Sequence, residues 1–255
     1  MSSGQRNALR QERFNELVRF ARENSPFYAE HYRNVADSFE YTDLPPVCKS
    51  ELMAHWDNWV TDRDVKLKDV VTFMQNKDHI GRKLKGKYMV FTTSGSTGNP
   101  LIALYDKPAN NMMSAISAMR SFARKEDLKE FIRRGSKTMG IFATNGFYLS
   151  NGSVRARQLS MPWKKRQMAV TSALLPVGDI VRQLNSFQPA MLGGYPSSLE
   201  LLIDEAKAGR LKNIPRSHYD RRGISFGRAS KRACRRFRLL CPNFLFLYRR
   251  RHCCM

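Results

Sequence analysis

Residues 92–100 read Thr92-Thr93-Ser94-Gly95-Ser96-Thr97-Gly98-Asn99-Pro100, and from Thr93 onward this stretch combines four hydroxyl side chains with two glycines. Its first two residues end the run Tyr88 to Thr93, which is rich in β-branched and aromatic residues and predicts a strand. Glycine permits positive φ and close backbone approach, so consecutive N–H groups can converge on an anion while the hydroxyls add donors. A phosphate-binding loop and a plain hairpin turn both fit this composition.

The sequence around the loop bears on which kind of phosphate-binding loop it could be. Leu101 to Tyr105 predicts a second strand, which makes a hairpin around the glycine-rich segment. A Walker A loop requires G-x-x-x-x-G-K-[ST], and neither Gly95 nor Gly98 is followed by Gly-Lys at that spacing. The P-loop NTPase interpretation is therefore excluded.

The segment Thr93 to Pro100, T-S-G-S-T-G-N-P, resembles the phosphate-binding signature of the adenylate-forming superfamily, [ST]-S-G-[ST]-T-G-x-P-K. It departs from that signature at Leu101, where many members have a lysine. That lysine is often absent in the branch resembling phenylacetate-CoA ligase and coenzyme F390 synthetase. Arg13 to Tyr28 and Leu192 to Leu202 also resemble that branch, so the likeness spans most of residues 9 to 216.

This resemblance implies a nucleotide site and a reaction. A carboxylate would attack the α-phosphorus of ATP, release pyrophosphate and leave an acyl adenylate for capture by CoA or another acceptor. Such chemistry needs mainly positioning and charge neutralisation, so the loop needs no acid or base, and we assign no catalytic residue and no protein metal ligand. The residues implied to hold the ATP phosphates with Mg²⁺ are Thr93, Ser94, Gly95, Ser96, Thr97 and Gly98.

A second candidate site is the turn Gly193-Gly194-Tyr195-Pro196, which follows a predicted strand, Ala190 to Leu192, and opens a predicted helix, Ser197 to Ala208. Exposed N–H groups at a helix start can face a cleft, so we expect this turn to line the substrate side of the pocket. A simple strand-to-helix turn with Ser197 as the N-cap is the alternative. Gly209 is the predicted C′ residue of this helix.

The rest of the chain predicts an α/β fold. Strands at Lys137 to Thr144 and Met168 to Leu174 alternate with a helix at Val177 to Phe187, which indicates a largely parallel sheet. We expect an incomplete large N-terminal domain of an adenylate-forming ligase, with a helical lead at 1–60, the partial α/β domain at 61–216 and an irregular tail at 217–255. Further predicted helices are Leu9 to Arg33, interrupted at Ser25-Pro26, then Ser50 to Asn58 with Ser50 as N-cap, and Pro108 to Lys125.

Composition places the chain among ordinary globular proteins. It is 42% hydrophobic and 26% charged, has no run of about 18 apolar residues, and begins with a charged segment that lacks a signal-peptide core. Cys48 is the sole cysteine in the first 216 residues, which excludes a disulfide framework there. We expect a cytoplasmic enzyme whose partners are ATP and a small carboxylate; the sequence leaves the identity of the acid and the oligomeric state open.

The tail from Ser217 differs in character. It holds ten Arg and one Lys against the single acid Asp220, a net charge of +10 over 39 residues, and it keeps no helical or strand period. We interpret it as out-of-frame sequence that begins near Arg216 and replaces the later motifs of the resembling family, which would abolish or severely impair catalysis. The alternatives are nucleic-acid binding through Arg and aromatic residues and membrane association, and the missing period disfavours both.

Overall fold

The computed structural model describes residues 2–93, 100–122 and 125–212. The chain divides into two compact units, and each is considered by itself. One consists of Met1–Asn76 with Thr93–Ala103, and the other of Lys77–Thr92 with the chain from Leu104 onward. The predictions for residues 94–99 and for the tail lie outside the described residues.

The first unit is helical. Its longest helix begins with a capping box in which Ser2 and Gln5 exchange side-chain and backbone hydrogen bonds. The helices are α1 (Ser3–Asn24), α2 (Pro26–His31), α3 (Lys49–Ala54), α4 (Trp56–Trp59) and α5 (Leu67–Gln75), with a 3₁₀ turn at Tyr41–Asp43.

Ser25 is the junction between α1 and α2, at the interruption that the sequence predicts. Its backbone N–H donates to the carbonyl of Ala21 and so forms the last hydrogen bond of α1. Its hydroxyl oxygen accepts from the Tyr28 N–H and so caps α2. The hydroxyl also lies 2.8 Å from the carbonyl oxygen of Trp59 and is 1% exposed. One buried side chain thus joins α1, α2 and the end of α4.

The predicted helix from Ser50 to Asn58 is wrong in detail. It is divided at His55 into α3 and α4, and the N-cap is Cys48 instead of Ser50. The division buries the indole of Trp56, which is 2% exposed. Helix α5 has no counterpart among the predictions, and its Val70 is fully buried.

The second unit begins with a 3₁₀ turn at Lys77–His79 and a small sheet. The strands of this sheet are β1 (Lys83–Leu84), β2 (Tyr88–Thr92) and β3 (Ile102–Tyr105), in the order β1-β2-β3, and the division between the two units falls within β3, after Ala103. Helix α6 (Lys107–Arg120) follows, capped by the Asp106 carboxylate, and then α7 (Lys125–Arg133), which the sequence did not predict. Both predicted strands around the glycine-rich segment are confirmed.

A parallel sheet forms the rest of this unit. Strand β4 (Thr138–Phe142) lies between β5 (Met168–Ser172) and β6 (Met191–Gly194), and both pairings are parallel, as predicted. The connections are α8 (Leu149–Ser160) with a 3₁₀ turn at Pro162–Arg166, and then α9 (Val177–Phe187); α10 (Pro196–Lys207) follows β6. The chain moves outward from β4 to β5 and back across β4 to β6. Right-handed crossovers then place α8 and α9 on opposite faces.

The core lies between β4, β6 and the helices α9 and α10. Strand residues Met139, Ile141 and Leu192 pack there against apolar residues of both helices, and Ile141 and Leu202 are completely buried. Side chains alternate along a strand, so Gly140 and Phe142 project to the opposite face. One face of the sheet therefore packs on α9 and α10, and Gly140 and Phe142 lie on the other face.

No helix within residues 2–93, 100–122 and 125–212 is long and apolar enough to cross a membrane.

Candidate functional site

Thr93 closes the base of the glycine-rich segment. Its backbone N–H donates to the carbonyl of Leu101 at 2.9 Å, and its hydroxyl oxygen accepts from the Leu101 N–H, also at 2.9 Å. Thr93 and Leu101 are therefore joined to each other by two hydrogen bonds. The Thr93 side chain is exposed, and its own O–H remains able to donate to an anion.

The strand that leads into this segment is fixed at its last residue. The Thr92 N–H donates to the carbonyl of Phe147 at 2.8 Å, and Thr92 forms a parallel bridge with Tyr148. The preceding residue of β2, Phe91, places its ring against Gly152 of α8. A Cβ added at Gly152 would come within 2.8 Å of a ring carbon. Strand β2 is thus held against α8, and Gly152 is there because no side chain would fit.

Of the residues that the sequence assigns to phosphate binding, only Thr93 is described. Ser94, Gly95, Ser96, Thr97 and Gly98 lie outside the described residues. Their assignment to ATP stays a prediction.

The second candidate, Gly193 to Pro196, lies at the carboxyl end of β6. Gly193 and Gly194 are its last two residues, Tyr195 is the N-cap of α10, and Pro196 is the first helical residue. In open parallel sheets, ligands bind in the crevice outside the carboxyl ends of the strands. The role of this turn as a pocket wall stays a prediction.

Tyr195 is held by the neighbouring strand. Its ring packs edge-to-face against Phe142, with centroids 5.6 Å apart, and its hydroxyl oxygen accepts from the Ala143 N–H at 3.5 Å. The Phe142 ring in turn covers Gly140 and reaches Gly193, where an added Cβ would meet the ring at 3.7 Å. Two aromatic rings therefore lie over backbone without side chains at the strand ends.

Phe142 and Ala143 were not among the residues predicted for this cluster. A glycine within a strand often marks close approach of another group, so Gly140, two residues before Phe142, was the available signal. It was overlooked because the run from Lys137 to Thr144 was interpreted only as a strand.

The alternative role of Ser197 as N-cap is wrong. The cap residue is Tyr195, no side chain caps α10, and Pro196 occupies the first turn, where a missing N–H has no effect on helix bonding. The Tyr195 N–H donates to the carbonyl of Ile141 at 3.3 Å, so this amide is already used within the sheet. Gly209 has φ of +70°, as predicted for a C′ glycine.

Among the described residues, titratable side chains do not gather as a metal-binding group, since no three His, Cys, Asp or Glu side chains come together in one. In the helical unit, His31 stacks on Phe27, and His55 also lies against this ring. The exposed Cys48 has a thiol pKa lowered by its hydrogen bond with Ser50. What the two candidates offer chemically is hydroxyls, amides and aromatic surface.

Comparison with known proteins gives a structural match only. No family model matches the chain, and no curated protein matches it in sequence. A solved 2-hydroxyisobutyryl-CoA ligase, in an open conformation with 2-HIB-AMP and CoA, superposes with a TM-score of 0.57 over 96% of this chain at 15% identity. The fold is similar to that of a CoA ligase.

The same ligase in its postadenylation state, with R3-HIB-AMP, matches with a TM-score of 0.51 at 16% identity over 83% of this chain. The chain spans about half the length of the ligase, 53% in the first structure and 41% in the second. The mixed α/β character predicted from sequence is confirmed by this match.

Proposed function

We propose that this chain derives from an adenylate-forming ligase that activates a carboxylic acid with ATP and passes the acyl group to CoA or another acceptor. The observation that carries this proposal is the likeness in fold to a ligase solved with an acyl-AMP and CoA, over 96% of the chain. The signature at Thr93 to Pro100, between strands β2 and β3, supports the proposal independently, because it comes from sequence alone.

The proposed roles follow from the donor chemistry. Thr93 fits a phosphate ligand, since its hydroxyl is exposed and retains a donor after accepting from Leu101. We assign Ser94, Ser96 and Thr97 as further hydroxyl donors and Gly95 and Gly98 as the positions where the backbone approaches the phosphates. Mg²⁺, when bound with the nucleotide, would neutralise charge on the phosphates.

The turn at Gly193 to Pro196, with Phe142, is the proposed wall for the acyl group. Aromatic rings and bare backbone provide apolar contact area without charge, which suits the hydrocarbon part of a carboxylic acid. A carboxylate oxygen would form the new bond to the α-phosphorus as the bond to pyrophosphate breaks. The resemblance to the phenylacetate-CoA ligase and coenzyme F390 synthetase branch makes an aryl acid the first candidate to test.

Nucleotide binding tests the proposal most directly. Calorimetric titration of the full chain with Mg-ATP should show saturable binding, and Thr97→Val should weaken it by about tenfold or more, because a hydrogen bond to a charged group is worth roughly 1.5–3 kcal/mol. Thr61→Val, which removes an exposed hydroxyl in the helical unit, is the matched control and should leave binding unchanged. Equal affinity in the wild type and Thr97→Val would refute the phosphate assignment.

Activity is a separate question. We propose that residues 217–255 are out-of-frame sequence, which the abrupt gain of Arg and loss of acids after Asp220 supports, and that turnover is weak or absent. Pyrophosphate release with ATP, Mg²⁺ and a panel of carboxylates, including phenylacetate, measures this. Translation of the gene in the other frames beyond codon 216 should reveal a glycine-acid strand motif; if neither frame encodes one, the frameshift interpretation fails.

A further inference from the structure

Positive charge is strongly segregated along the second unit. Residues 131–178 contain eight Lys and Arg residues and no Asp or Glu. Five of these bases lie within residues 155–166, which we call the basic-aromatic segment: Arg155, Arg157, Lys164, Lys165 and Arg166. The function proposed above uses none of them.

The same segment exposes large apolar side chains. Trp163 is 64% exposed, Leu159 is 41% and Met161 is 37%, whereas Trp56 in the helical unit is 2% exposed. Single exposed apolar residues are ordinary, but three within five positions, flanked by bases, make this segment amphipathic. Keeping a tryptophan in water forgoes the burial that usually stabilises this side chain.

Backbone and side-chain bonds hold this surface in place. The Met161 N–H donates to the Arg157 carbonyl at 2.9 Å at the end of α8, and the Lys164 N–H donates to the Met161 carbonyl at 2.8 Å. The Gln158 amide then donates to the carbonyl of Met168, at the start of β5, at 2.7 Å. The exposure of Trp163 is therefore a property of a structured turn attached to the parallel sheet.

We propose that the basic-aromatic segment docks this protein on an anionic lipid bilayer. Tryptophan prefers the membrane–water interface, where an apolar ring and a polar N–H are both accommodated, and Leu159 and Met161 would enter the same layer. Lys165 and Arg166, both exposed, would contact lipid phosphates.

A bilayer fits this surface better than a nucleic acid does. Stacking on a base would use Trp163, but it would leave the aliphatic side chain of Leu159 and the thioether of Met161 in water beside the phosphate backbone. A lipid interface removes all three from water while leaving the charges at the headgroups. The partner class is therefore a membrane rich in anionic headgroups.

Vesicle co-sedimentation of the full chain tests the proposal. It should bind vesicles of phosphatidylcholine mixed with phosphatidylserine and fail to bind phosphatidylcholine alone. K165Q/R166Q should weaken binding by about tenfold or more, since each base near an anionic surface contributes about fivefold. The control K125Q/K129Q removes two exposed bases from α7 and should change the affinity less than about twofold.

Tryptophan emission provides the second readout. Trp163 should shift to the blue on binding and be quenched by brominated phosphatidylcholine, and W163F, with an unchanged circular dichroism spectrum, should lose both effects while Trp56 and Trp59 stay unquenched. Equal weakening by the two double variants would overturn the proposal, because binding would then follow net charge or the basic tail. Unshifted Trp163 emission would overturn it too, as would K165Q/R166Q lowering affinity only for an oligonucleotide.

Discussion

Replacing Gly194 with alanine should destabilise the parallel sheet, whereas the same change at the adjacent Gly193 should not. A Cβ at Gly194 would lie 3.2 Å from the Cβ and 3.2 Å from the carbonyl oxygen of Ile141, which is completely buried. It would also lie 3.3 Å from Cδ2 of Leu199, which can rotate, but the Ile141 backbone is fixed within the sheet. Overpacking of this kind costs about 1–3 kcal/mol.

The opposing term is the lower entropy of the unfolded chain with alanine, which stabilises by about 0.4–1 kcal/mol where the backbone conformation allows it. Neither glycine has positive φ, so both positions gain this term. At Gly193 the added Cβ meets only the Phe142 ring, at an ordinary 3.7 Å. The expected difference in free energy of unfolding between the two variants is therefore about 2 kcal/mol, with Gly194→Ala the less stable.

Urea unfolding followed by far-ultraviolet circular dichroism measures this difference. With a slope of about 1–3 kcal/mol per molar urea, the midpoints of the two variants should differ by roughly 1 M. A midpoint for Gly193→Ala equal to or below that of Gly194→Ala would refute the account of packing at this turn. In that case, the close fit of α10 against β4 would not be the reason for the second glycine.

Two further substitutions test other parts of the fold. Ser25→Ala removes the cap of α2 and the hydrogen bond from the buried Ser25 hydroxyl to the carbonyl of Trp59, so it should lower the free energy of unfolding by about 2 kcal/mol. Ser160→Ala, exposed at the end of α8, should stay within about 0.5 kcal/mol, and equal urea midpoints would contradict the role of Ser25. The pKa of Glu130 is lowered to about 2 by hydrogen bonds from Arg133 and Arg134, so its stabilisation is present above pH 4.5 and is lost as pH falls through about 2. Glu130→Gln should therefore lower the free energy of unfolding by about 0.5–1 kcal/mol at neutral pH. It should also flatten the pH dependence of the urea midpoint below pH 4.5, and a variant profile parallel to that of the wild type would contradict this.

The sequence predicted those elements whose residues carry a local signal. Helix α9 matches the predicted bounds because Ile180, Val181 and Leu184 repeat at helical spacing and are all buried. Helix α8 had no such signal, since Gly152 interrupts its helical pattern for a reason that lies in another element, the Phe91 ring. Long-range packing of this kind leaves no trace in the local period.

The candidate sites divide in the same way. The loop signature is a local string and was found at once, and so was the turn at Gly193 to Pro196. The edge-to-face pair of Phe142 and Tyr195 joins residues 53 positions apart, and only the parallel pairing of β4 with β6 brings their strands together. One amino-acid sequence taken alone does not show which residues of β4 pair with which residues of β6.

The central place of β4 has a consequence for biosynthesis. It is the first strand of the parallel sheet to leave the ribosome, yet its two partners are Met168–Ser172 and Met191–Gly194. Translation at about 5–20 residues per second leaves both hydrogen-bonding edges of the nascent strand without partners for several seconds. During that interval Met139 and Ile141 lie on a strand whose N–H and C=O groups are unpaired on both edges, which is the kind of edge that can pair with another chain.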